Sequence, residues 1–218
     1  MTKLKSQKRT YDSSRRQAQA NETRRHILQA ARKLFIERGY AGATAEAIAA
    51  EAGVSAQTIY AIFKNKKRML VSLMSVSPAT GVEDHTPMAE RASVQAVSQE
   101  RDRHHQLQMF AQVVAANLDQ VSVVFEIMTD AAKNEPEFDR IVKKLNKQRL
   151  ENMTFAVQQF VSHGPFRDEI GFEYARDTVW TLTSGDVFLL LTQERGWSKE
   201  QYAEWLADML IKALLPPS

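Results

Sequence analysis

The sequence predicts an all-α protein, and two observations carry that prediction. Only 8 Gly and 6 Pro occur in 218 residues, and nowhere is there the sustained apolar–polar alternation of a half-buried strand. The stretch Thr44 to Leu70 (TAEAIAAEAGVSAQTIYAIFKNKKRML) reads as helix, tight turn, second helix and the start of a third. The charge is lopsided. Residues 1–70 hold 15 Lys plus Arg against 5 Asp plus Glu, or +10; the rest holds 14 against 21, or −7, leaving +3 overall. A basic first third ahead of an acidic remainder suits a part that meets a polyanion joined to a part with another task. A solvated basic tail is the plainer account, but here the basic residues flank a helix-turn-helix, which favours nucleic acid.

Composition bounds the rest. With 44% hydrophobic and 25% charged residues the chain can bury a sizeable core. It has no Cys, hence neither disulfides nor thiolate metal sites. No apolar run approaches the roughly 18 residues of a membrane helix. The basic N-terminus has no apolar signal core behind it. These features fit a reducing cytoplasm.

Taken in order, residues 1–20 lack periodicity and carry Lys3, Lys5, Lys8, Arg9, Arg15 and Arg16. They are expected to form a disordered arm, either a solubilising tail or a basic strand following phosphates. Residues 21–66 are expected to form a helix-turn-helix domain. Asn21 to Arg38 makes its first helix, with Ile27, Ala30, Ala31, Leu34 and Phe35 on one face and Gly39 ending it. Thr44 caps the second helix, Gly53 supplies the left-handed turn, and Val54 is a buried plug by type. Ser55 caps the third helix, whose Ile59, Ile62 and Phe63 can point inward. That leaves Ala56, Gln57, Thr58, Tyr60 and Ala61 facing out. Small and hydrogen-bonding residues at the N-terminal end of a second helix are what a major groove admits. Gln offers two hydrogen bonds to adenine, and Ala permits close approach.

Residues 67–218 are expected to form a helical second domain. A fourth helix runs from Lys66 to about Ser77, and Pro78 to Pro87 is a loop. Helices follow over Met88–Gln99, Glu100–Leu118, Val121–Ala132, Glu137–Ser162 behind Pro136, Phe172–Arg195, and Ser198 to about Leu214. Met109, Phe110, Val113, Phe125, Met128, Met153, Phe155 and Trp180 form a Met and aromatic set that either lines an apolar pocket or is plain core. The last two helices carry more apolar surface than one packing front needs, with small Thr183, Ser184 and Gly185 in the middle of one. Val187, Leu190, Trp205 and Met209, with Thr183, are the candidates for a second front, against another chain or within a hairpin.

R-R-H-I-L-Q-A-A-R-K-L-F-I-E-R-G-Y, then Thr44, then I-A-x-x-A-G-V-S, then T-I-Y-x-x-F-K-N-K, resembles the DNA-binding domain of the TetR/AcrR family of bacterial transcriptional regulators. The likeness runs without a gap from about Thr23 to Leu70. It implies that double-stranded DNA, a palindromic operator, meets Thr44, Ser55, Ala56, Gln57, Thr58, Tyr60, Lys64 and Lys66. In that assignment Thr44 and Lys66 hold phosphates, Ala56 and Gln57 face bases, and Tyr60 lies on the backbone or a thymine methyl. It also implies a small-molecule effector of unspecified identity in the second domain, and a homodimer joined through the final two helices. Glu46 departs from the pattern, since a carboxylate near a phosphate repels it.

Catalysis finds no support. There is no Gly-rich phosphate loop, no G-x-S-x-G elbow and no paired Glu-x-x-His. His104 and His105 adjoin Arg101, Asp102 and Arg103, as on a solvated face rather than a metal site. No cofactor is expected. The resulting reading is a cytoplasmic, ligand-responsive repressor. A DNA-binding, chromosome-associated protein without an effector is the alternative, marked by sequence-tolerant, steeply salt-dependent binding.

Overall fold

The computed structural model describes residues 5–77, 81, 83–168 and 170–217, with side chains from residue 15 onward. It is all-α, and no strand forms among the described residues. The chain divides into two compact units, Met1–Val76 with Thr80–Glu83, and Ser77–Ala79 with Asp84–Ser218.

The first unit has four helices: α1 (Lys5–Gly42), α2 (Ala45–Glu51), α3 (Ala56–Phe63) and α4 (Lys66–Leu73). The arm expected to be disordered is helical from Lys5 and continuous with the first predicted helix. Nothing in QAQANETRR breaks a helix, and Gln, Ala, Glu and Arg are good helix formers. Local bonds help: the Gln17 side chain donates to Asn21 (3.1 Å) and the Thr23 hydroxyl to Gln19 O (2.9 Å). The expected arm residue Lys3 lies outside the described residues, as do the side chains of Lys5, Lys8 and Arg9. Helical geometry is interrupted at Gly39 (φ 67°, ψ 177°).

The core of this unit is small and closed. Ile27, Ala31, Phe35, Ala43, Ile48, Ile59, Met69 and Leu70 are each 0% exposed. Val54, the expected plug, is only partly buried, and Ile59 and Phe63 do the closing instead. α4 ends at Leu73 rather than near Ser77. The chain beyond it returns through a bridge between Val76 and Glu83. There Arg24 grips the Glu83 carboxylate with two donors, Nε and Nη2 (the latter at 3.0 Å). Nη2 also reaches Ser72 (3.4 Å), and the guanidinium lies 4.2 Å from the centre of the Phe63 ring.

The second unit is built on α6 (Arg103–Ala132), preceded by α5 (Ala92–Gln99) and followed by α7 (Pro136–Ser162), α8 (Phe172–Leu182), α9 (Gly185–Leu189) and α10 (Lys199–Leu214). Two helices were expected where α6 is one. Asp119-Gln120 reads as a boundary but contains no breaker, and both flanks pack: Leu118 on one side, Val124 on the other. By length and composition α6 would also span a membrane. In this fold it is the central helix, packed by α10, α7, α9 and α5. Met88–Glu90 is a separate turn, divided from α5 by the extended Arg91.

The Phe172–Arg195 helix is likewise not continuous. Thr183 leaves helical geometry (φ −92°, ψ 15°), and Ser184 starts a new helix, its hydroxyl accepting from Val187 N (3.2 Å). Ser favours caps over helix interiors because its side chain competes for backbone N–H groups. Gly185 follows, facing α6: a Cβ there would be in ordinary contact, 3.4 Å, with the Ser122 hydroxyl. The segment Leu190–Glu194 widens into a π turn before α10, which opens on a capping box between Ser198 and Gln201. Aromatic edges close the core, with Phe110 on Phe160 (5.1 Å) and Phe188 on Tyr202 (4.9 Å).

Candidate functional site

The turn between α2 and α3 is held by local chemistry. Thr44 accepts from Ala47 N (3.1 Å) and caps α2. Gly53 (φ 67°) lets Gly53 N reach Ala50 O and Val54 N reach Ala49 O (2.9 Å), satisfying the last carbonyls. Ser55 accepts from Thr58 N (3.1 Å), and its hydroxyl is shared with that of Thr58 (2.9 Å). With Ile59 and Phe63 inward, α3 presents Gln57, Tyr60 (47% exposed) and Ala61 outward, with Ala56 and Thr58 at the half-buried margin. A helix held from beneath, with a bidentate amide and a phenol on its open face, can lie in a groove and read base edges.

Of the residues assigned to DNA, Thr44, Ser55, Gln57, Tyr60 and Lys64 are exposed. Lys66 is not presented in the same way. Its ammonium donates to Tyr40 O (2.7 Å) and sits 4.2 Å from the centre of the Tyr40 ring, which is stacked on Phe35. It thus ties α4 to the end of α1 just past the break at Gly39, an anchoring role that motif position alone did not reveal. Asn65, unremarked in the sequence, caps α4 by accepting from Arg68 N (2.8 Å). Lys64 takes a positive φ (66°) to close α3, its N–H donating to Tyr60 O (3.0 Å). Glu46 is exposed on the first turn of α2. Glu51 is held by Lys33 (2.7 Å), whose pKa that hydrogen bond raises.

The apolar set of the second unit divides. Phe110 is edge-packed on Phe160 and Met128 is 0% exposed, so both are closed core. Met109, Val113, Phe125, Phe155 and Trp180 are half-buried; of these Met109, Val113 and Trp180 pack on the main core. Thr183 does not suit an interface. It is 3% exposed, and its hydroxyl donates to Val179 O (2.7 Å) at the break between α8 and α9. Leu190 is open (57% exposed), while Val187, Trp205 and Met209 are half-buried, Trp205 against Trp197 and Tyr202.

A polar group at that break was missed altogether. Arg149 of α7 is half-buried, stacks 4.2 Å from the centre of the Trp180 ring, and donates from Nη1 to Trp180 O (2.7 Å). Burial lowers its pKa, with the charge of Asp186 acting in the opposite sense. Nearby, burial raises the Tyr202 phenol, which donates to Leu182 O (2.9 Å). A lone Arg in the run KKLNKQRLEN looks like surface, so the sequence held little signal for it. At the start of α6, Asp102 caps by accepting from His104 N and His105 N, and Glu100 bonds the His105 ring (2.8 Å). Among the described residues no His, Cys, Asp and Glu group has the makings of a metal site.

A capped helix-turn-helix ahead of a separate all-helical unit defines a DNA-binding transcriptional regulator. Residues 27–73 match the model for bacterial regulatory proteins of the tetR family. That match spans the helix-turn-helix, from the later part of α1 through α2 and α3 to the end of α4. The chain is 25% identical over 174 residues to the HTH-type transcriptional repressor KstR2 of Mycobacterium tuberculosis, covering 74% of this chain and 80% of that one. Its fold is similar to that of a transcriptional regulator from Saccharomonospora viridis solved with choline (TM-score 0.66, 21% identity, 90% and 99% of the two chains covered). It is also similar to that of FadR from Bacillus subtilis solved with stearoyl-CoA (TM-score 0.62, 19% identity, 86% and 97% covered).

Proposed function

We propose that this protein is a cytoplasmic, homodimeric repressor that releases a palindromic operator when a small molecule binds its second unit. The observation that carries the reading is the exposed edge of α3, where Gln57 and Tyr60 stand clear of a core that leaves them no structural task. Likeness to a repressor supports the sign of regulation, and two similar folds that hold small molecules support an effector. The dimer would form through the α9–α10 region, with Leu190, Val187, Trp205 and Met209 contributing and Thr183 left out. A two-fold dimer presents two α3 helices to successive turns of DNA.

Thr44, Ser55 and Lys64 would face phosphates, Ala56, Gln57 and Thr58 the bases, and Tyr60 the backbone or a thymine methyl. The effector would act by preferring the conformation whose α3 helices are misplaced for the operator, because equal affinity for both states shifts nothing. Gln57→Ala should relax preference at one position per half-site and cost about 1–3 kcal/mol on the preferred operator. An unchanged base preference in competition binding would remove Gln57 from the reading set. Light scattering at micromolar concentration should give twice the 24.7 kDa chain mass; a monomer would end the dimer argument.

A further inference from the structure

The break between α8 and α9 holds more hydrogen-bond donors than the protein itself satisfies. The Trp180 indole nitrogen and the Ser122 hydroxyl are both buried without a partner. Ser122 is 3% exposed, and its hydroxyl faces Gly185, where a Cβ would stand 3.4 Å from it. Arg149 lies over Trp180 and, among the described residues, bonds protein only through Nη1, to Trp180 O (2.7 Å) and marginally to the Thr183 hydroxyl (3.5 Å). No carboxylate pairs with it among the described residues, although Asp186 lies near enough for its charge to be felt. Leaving buried donors unmade costs stability, and an indole N–H can only donate. A guanidinium with its fork unfilled is the group best matched to a planar anion. Apolar core adjoins the break through Thr183, whose hydroxyl lies 3.4 Å from the Met153 sulfur, with Val179 and Phe188 in the same core.

We propose that the ligand of the second unit is an organic acid on an apolar body, its carboxylate held by Arg149 with the Trp180 indole and the Ser122 hydroxyl as further donors. The proposal rests on the reading of this unit as effector-binding, and it assigns that effector a chemical class. Thr183 and Asp186 flank the break. An acid seated on Arg149 and Trp180 would therefore act on the joint between α8 and α9, through which the chain passes to α10.

Calorimetric titration of the full-length protein tests this directly. The probes are octanoate, cyclohexanecarboxylate and naphthoate, each against the alcohol of the same skeleton. At least one acid should bind about ten-fold or more tighter than its alcohol. Arg149→Gln should remove that margin, so that acid and alcohol bind alike. Arg149→Lys, which keeps the charge but loses the fork, should recover part of it. Ser122→Ala should weaken the acid while leaving the ligand-free protein as stable or more so, since it deletes an unpaired donor; this keeps the test valid if an Arg149 variant folds poorly. Acids that bind no better than alcohols, no binding by any acid, or a margin that survives Arg149→Gln would each overturn the proposal. Operator release is read separately. Acid binding without release would sink the effector reading and leave the site standing. Release by a neutral or cationic compound, indifferent to Arg149→Gln, would do the reverse.

Discussion

The two units of this chain are determined in different ways. In the first, nearly every structural decision is local. Thr44, Ser55 and Asn65 each cap the helix that follows, Gly53 turns the chain, and a compact set of buried side chains closes beneath. In the second, caps exist at Asp102, Ser184 and Ser198, but the course of the chain is decided by what α6 packs against. A local unit can hold its reading helix rigid without a partner. A unit built on long-range packing can tolerate an imperfect joint, and it has one, where α8 gives way to α9 beside donors that no described residue satisfies.

The contrast can be broken by substitution. Phe35→Ala should be the most damaging, because Phe35 is 0% exposed in a small core and supports Tyr40 and through it Lys66. A loss of about 3–5 kcal/mol is expected in urea denaturation, with operator binding lost alongside. Retention of full operator affinity would show that the first unit does not depend on its own core. In the second unit Ser198→Ala removes a capping box and should cost about 1 kcal/mol. A loss comparable to that of Phe35→Ala would mean that this unit too is governed by local signals.

Two smaller changes sharpen the picture. Lys64 holds a backbone conformation that suits Gly, so Lys64→Gly should raise stability by up to about 1 kcal/mol. Operator affinity should fall at the same time if Lys64 faces phosphate; a rise in both would contradict that placement. The smallest effect concerns acid. The backbone N–H of His105, and secondarily that of His104, holds the Asp102 carboxyl below its ordinary value. Such a depressed carboxylate adds stability above its unfolded pKa, near 4, and that contribution disappears as pH falls through the lower folded value. Asp102→Asn, which keeps a cap but cannot titrate, should make the acid loss of stability shallower in unfolding curves taken from neutral pH downward. An unchanged acid limb would show that the cap charge contributes nothing.

The same contrast explains what could be read from the sequence. The helix-turn-helix was legible to the residue at Thr44, Gly53 and Ser55, because caps and left-handed turns depend on side chains a few positions away. Val54 was misjudged because residue type does not say how completely neighbours close over it. Lys66 was assigned from motif position, and its contact with Tyr40 depends on where α1 ends, which no local pattern states. In the second unit, α6 looked like two helices because a polar Asp-Gln pair resembles a boundary, whereas α8 and α9 looked like one because Thr-Ser-Gly resembles a small-residue packing stripe. Both errors come from judging continuity without knowing what lies opposite. Arg149 and Trp180 meet across 31 positions of sequence, beyond the reach of any local signal.

The central claim is that α3 reads sequence. Selection of bound fragments from random DNA by the full-length protein tests it most directly. The account predicts enrichment of one inverted-repeat motif with half-sites about a helical turn apart, or a multiple of that. Recovery of unrelated sequences, with affinity set by salt alone, would contradict it and leave a general DNA coater in its place.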